Sequence, residues 1–115
     1  MTSSPTTSPE YQRRLQQLRQ RFLDGLPARI LLLDQLSIEL RTVGNDAAAL
    51  AAIKNECHKL AGVAASFGFP KIGRRAAEID EALCDGELER GELERSLEDL
   101  MNLMEDQLDG KRHDE

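Results

Sequence analysis

Between Ala47 and Phe67 the apolar residues recur at three- and four-residue steps: Ala47, Leu50, Ile53, Cys57, Leu60, Ala64 and Phe67. That is the period of a helix with one face turned to a core. The spacing returns elsewhere, in Leu15, Leu18, Phe22 and Leu26, in Ile30, Leu33, Leu36 or Ser37, and Leu40, and in Ile72, Ala76, Ile79 and Leu83. It closes with Leu93, Leu97, Leu100, Met104 and Leu108. No segment alternates with period two, which argues against a sheet. Amphipathic segments joined by short turns pack as an all-α, antiparallel up-down four-helix bundle.

Glycine and proline set the expected limits of each segment. The first helix is expected from Ser8 to Asp24. Gly25-Leu26-Pro27 then either breaks the chain into a second helix, Pro27 to Val43, or kinks one continuous helix, since proline disfavours a helical residue before it. The bundle would then carry an additional short or kinked N-terminal helix. Leu31, Leu32 and Ile38 widen the apolar arc of the second segment, as suits a helix touching two neighbours. Gly44-Asn45-Asp46 reads as a turn followed by an N-cap. The next helix runs from Ala47 to Ser66 and is stopped by Gly68. Pro70 opens another in its first turn, and Asp85-Gly86 closes it. The last spans Glu89 to Leu108. Residues 1–10 are expected to be a disordered lead, 11–109 the bundle and 110–115 a charged tail.

One domain is enough for 115 residues. With aromatics at 3% and no Trp, the core must be aliphatic. No apolar run reaches the length of a membrane span, and the Ser/Thr/Pro-rich N-terminus lacks the basic and apolar parts of a signal peptide. A cytoplasmic protein, monomeric and off the membrane, is the expectation. Net charge is −6, unevenly spread. From Tyr11 to Arg75 there are 11 Lys/Arg against 5 Asp/Glu, and from Ala76 to Asp109 there are 2 against 13. The acidic half would repel nucleic acid, and no nucleic-acid-binding motif appears. Cys57 lies on the apolar stripe as a small buried hydrophobe, and Cys84 falls in the last turn of a later helix. A zinc site would need more ligands than these two with His58 and the remote His113. No metal or cofactor of its own is expected.

His58 is the residue that packing does not explain. It sits roughly 115° from the centre of its helix's apolar stripe, near the edge of solvent. Its helical neighbours are Ala51, Lys54, Ala61, Gly62 and Ala65, four of which carry a methyl or nothing. A glycine inside a helix costs about 1 kcal/mol against alanine. Gly62 makes sense if a partner must approach the ring closely. A neutral imidazole nitrogen is a nucleophile near neutral pH. The other segments offer no Asp or His that clearly joins it, and there is no nucleotide loop, metal triad or Ser-His-Asp arrangement. One reactive group on a smooth platform suits a group carrier better than a self-sufficient kinase.

His58-Lys59-Leu60-Ala61-Gly62, followed by Ala65-Ser66-Phe67-Gly68, resembles the His-x-Leu-x-Gly signature of histidine-containing phosphotransfer (HPt) domains. The resemblance covers residues 15 to 108. It implies that His58 takes a phosphoryl group from one receiver-domain aspartate and gives it to another in a multistep two-component phosphorelay. The partners it implies are response-regulator receiver domains and a (hybrid) sensor histidine kinase, with Mg2+ on the receiver. Ala51, Ala61, Gly62 and Ala65 would form the docking patch. Many family members carry a lysine three residues after the histidine, where this chain has Ala61. Help for the phosphohistidine is then left to Lys54, Lys59, Lys71, Arg74 or Arg75. Because the chain begins at Met1, a free-standing carrier is expected. The rival readings are a non-catalytic helical adaptor for a receiver domain or kinase, and a helical dimerisation module. The latter would leave Leu31, Leu32, Ile38 and Leu103 exposed as a patch.

Overall fold

In the computed structural model, which describes residues 8–42, 46–86 and 88–113, the stripes become four helices. They are α1 (Pro9–Thr42), α2 (Asp46–Ser66), α3 (Pro70–Asp85) and α4 (Arg90–His113). Contacts join α1 to α2, α2 to α3, α3 to α4 and α4 back to α1, while the described residues of the diagonal pairs stay apart. This is the up-down bundle that the periodicity predicts.

The segment expected as an extra N-terminal helix is the first half of α1, which runs unbroken for 34 residues with Pro27 inside it. Proline removes one helical hydrogen bond and crowds the carbonyl four residues back. Here the ring is on the exposed side, where water can satisfy that carbonyl, and Leu26 and Leu33 are fully buried to either side of it. Packing on both flanks holds the helix through the proline. At the other end α4 passes through Asp109-Gly110 to His113, beyond the limit at Leu108 that the sequence suggests. A single glycine weakens a helix by about 1 kcal/mol and does not stop one already formed. Residues 1–7, the Gly44-Asn45 turn and the capping side chain of Asp46 lie outside the described residues.

The α2–α3 connection follows the sequence signals closely. Gly68 has φ 88°, which ends α2, and Pro70 stands in the first turn of α3. Gly86, at φ 70°, caps α3 through its N–H to the carbonyl of Ala82. Phe69 in the turn stacks on Phe22 of α1 with ring centroids 4.8 Å apart, and the Arg19 guanidinium covers its ring at 4.9 Å. Two aromatics and a cation thus tie α1 to the end of the α2–α3 hairpin.

The core is aliphatic. Leu26, Leu33, Leu40, Ile53, Leu60, Ile72, Leu97 and Leu100 are among its fully buried members. The α2 stripe starts at Ala49, not Ala47, and continues through Ile53, Cys57, Leu60 and Ala64. Burial pushes the Cys57 thiol up to about 12, with Glu56 and Asp80 adding to the effect, so it is an inert part of the core. Leu31, Leu32 and Ile38 correct the reading of α1 as apolar enough for two neighbours on that side: all three are exposed. Rotation of α1 is set by Leu26, Leu33 and Leu40, and the wider arc finds no helix to cover it.

Candidate functional site

The α2–α3 interface is lined with very small residues, and that closeness makes the site. A Cβ added to Gly73 of α3 would come within 3.3 Å of the Ala61 carbonyl oxygen and of the Ala65 nitrogen. Gly73 therefore lets α3 lie against the backbone of α2. Two turns further along α3, the same approach brings Asp80 beside His58, 22 residues earlier in the chain.

His58 projects into solvent with its side chain 74% exposed. Its Nδ1 is 2.9 Å from Asp80 Oδ2. An ionised carboxylate can only accept, so Nδ1 carries the hydrogen and donates it. The lone pair then lies on Nε2, which has no protein partner among the described residues. Lys54, one turn before His58, places Nζ 3.1 Å from Asp80 Oδ1. That oxygen is buried and has no aligned hydrogen-bond donor, so the Lys54 contact is one of charge. The hydrogen bond from His58 holds the Asp80 carboxyl below the usual carboxylate range, and Lys54 adds to this against the opposing effect of burial. Lys54 in turn is held above its ordinary value by Cys84 first and Asp80 next.

Asp80 overturns the sequence reading that no acid in the other segments joins His58. Its position on α3 beyond the Ile72–Ala76–Ile79 stripe was visible, but a partner for His58 could not be chosen without the register of α3 on α2. Among the five basic candidates, Lys54 reaches this contact. Lys59 points the other way, 3.9 Å from Glu56. Arg75 reaches Glu78 at 3.6 Å and Asp99 of α4 at 3.8 Å. Lys71 and Arg74 join Arg75 in lining a hollow against Leu103 of α4.

Around His58 the surface is low. Ala51, Gly62 and Ala65 are exposed and Ala61 is half-buried. A Cβ on Gly62 would meet nothing within 4 Å. Ala77, one turn before Asp80 on α3, is also exposed and extends the platform across the helix boundary. Among the described residues no group of three or more His, Cys, Asp or Glu could hold a metal ion, and no helix is long and apolar enough to cross a membrane.

Comparison with known proteins gives one finding. The family model described as Hpt domain matches residues 17–114. Searches of curated proteins and of solved structures returned no match.

Proposed function

The chain belongs to the Hpt domain family, and from that premise we propose that His58 is the residue that carries the phosphoryl group. As an Hpt domain the protein relays a phosphoryl group between aspartates of receiver domains in a phosphorelay, and it is a carrier and not an enzyme. The observation that supports His58 is its divided ring, with Nδ1 committed to Asp80 and the rest exposed.

Transfer from a receiver follows from that division. The Nε2 lone pair attacks the phosphorus of the aspartyl phosphate in line, the Nε2–P bond forms, and the P–O bond breaks to release the receiver carboxylate. No proton leaves the ring, which becomes a cation still bearing hydrogen on Nδ1. Asp80 faces that developing charge with an anion already in place. In the reverse step the ring departs as neutral imidazole, and Asp80 keeps its proton on Nδ1 throughout. Lys54 holds Asp80 ionised and in position. A divalent ion on the receiver, Mg2+ by expectation, would serve the phosphoryl oxygens from the partner's side. Ala51, Ala61, Gly62 and Ala65, with Ala77, would let the receiver come within bonding distance of Nε2. The partners proposed are receiver domains of response regulators and of a hybrid sensor kinase.

Phosphorylated receiver domains should label the wild type with an acid-labile, base-stable phosphoryl group. His58→Gln should remove the label and keep the fold and receiver binding, because exposed substitutions usually change stability by within about 0.5 kcal/mol. Labelling of H58Q at the wild-type rate would overturn the assignment. Binding by both proteins with label on neither would establish the adaptor reading instead.

A further inference from the structure

The edge of the bundle opposite His58 carries a second feature that the relay does not use. Between α1 and α4 two hollows adjoin, sharing Asp34, Glu98 and Met101. Together they run from Pro27 to Arg41 along α1, about 21 Å at the helical rise. The hollow at the Pro27 end is about 400 Å³, with Ile30, Leu31 and Met101 supplying apolar surface and Asp34, Glu98 and Glu105 at its sides. No lysine or arginine lines that end, whereas Arg41 and Arg95 line the other. Leu31 is 60% exposed and Ile38, two turns further on, 41%. Leu31 with Ile30 and Met101 gives this hollow the exposed apolar surface that marks an interaction site, while Ile38 lines neither hollow.

Charge selects the occupant. A twofold contact centred on the Pro27 end would bring Asp34, Glu98 and Glu105 of one copy close to the same three carboxylates of the other. Like charges brought together in this way oppose association. A helix with an apolar stripe and lysines or arginines beside it would instead cover Leu31 and Met101 and neutralise the three carboxylates. We propose that the Pro27 end of the α1–α4 groove is a second docking surface, shaped for a basic amphipathic helix of a protein partner. Because α1–α4 and α2–α3 are opposite edges of the bundle, the groove can be filled while a receiver domain is at His58. This surface is independent of the phosphoryl chemistry.

A synthetic peptide of about three helical turns, leucines spaced i, i+3, i+4, i+7 and flanked by lysines, is the probe. Fluorescence anisotropy should show saturable binding to the intact protein, and amide NMR shifts should fall on α1 and α4. Leu31→Asp, and separately Glu98→Lys with Glu105→Lys, should each weaken it tenfold or more while circular dichroism stays that of the wild type. The isomer with glutamates for lysines should not bind, and labelling of His58 should continue with the lysine peptide bound. Equal binding of both peptides, binding of neither, or shifts centred on α2 and α3 would overturn the proposal. So would a wild-type dimer in sedimentation that Leu31→Asp converts to monomer, since a second copy would then be the occupant.

Discussion

Two side-chain contacts leave α2 in opposite directions. Glu56 reaches Arg29 of α1 at 2.9 Å, with the Glu56 side chain 8% exposed. His58, two residues on, reaches Asp80 of α3 at the same 2.9 Å, with its ring open to solvent. The distances are equal and the surroundings are not. A buried carboxylate must keep its cation, because an uncompensated charge in the interior is costly. An exposed pair adds little to stability, so its geometry is free to serve a reaction. One side of α2 spends its charges on holding α1 in place, and the other presents a nucleophile. Substitutions on each side test this division.

The largest effect belongs to the reactive side. Gly62→Phe should abolish labelling by a phosphorylated receiver, a loss of about 1000-fold or more, since a misplacement of even 1 Å can cost about 100-fold. Its helical circular dichroism should remain, because nothing lies within 4 Å of the new Cβ. Undiminished transfer by the folded variant would show that the platform is not where the partner docks.

On the other side, Arg29→Ala should lower unfolding free energy by about 3 kcal/mol in a urea titration, toward the lower end for a broken buried pair because Arg29 is itself partly exposed. Transfer by the molecules that remain folded should match the wild type. A strong loss of transfer without loss of stability would erase the contrast between the two sides.

Asp80→Ala should keep the fold and slow labelling of His58 by about tenfold or more, because the ring loses the anion that faces its developing charge. Its pH dependence has a definite sign. Asp80 has a lowered pKa when folded, so its contribution is complete above the ordinary carboxylate value of about 3.9 and is lost as pH falls through the lowered one. The stability difference between wild type and D80A should therefore close only in acid stronger than the ordinary carboxylate value. A difference that persisted undiminished below that lowered value would contradict the contact with His58.

The smallest effect compares two glycines. Gly62→Ala should stabilise the protein by up to about 1 kcal/mol, as helix propensity predicts for an unobstructed site. Gly73→Ala should do the reverse, since its Cβ would press on the backbone of Ala61 and Ala65. Thermal denaturation of both variants measures the pair. Equal stabilisation would mean that α2 and α3 are not held as close as the contacts require.

Periodicity and punctuation in the sequence determined the helices, the stops at Gly68 and Gly86, the buried place of Cys57 and the offset of His58 from its stripe. These are local properties, carried by residues three or four apart on one helix, and they need no knowledge of neighbours. The tertiary structure decided what lies across a helix boundary. Whether Pro27 ends a helix depended on Leu26 and Leu33 being gripped by the core. That Glu56 is buried became meaningful only with Arg29, 27 residues away. Gly73 reads as an unremarked glycine until α2 lies against it, and Leu31 and Ile38 read as core until α1 takes its rotation. Asp80 is the clearest case. Its side chain meets His58 because two helices pack at one register and one rotation, and a shift of one residue, about 100° around the helix, would turn it away.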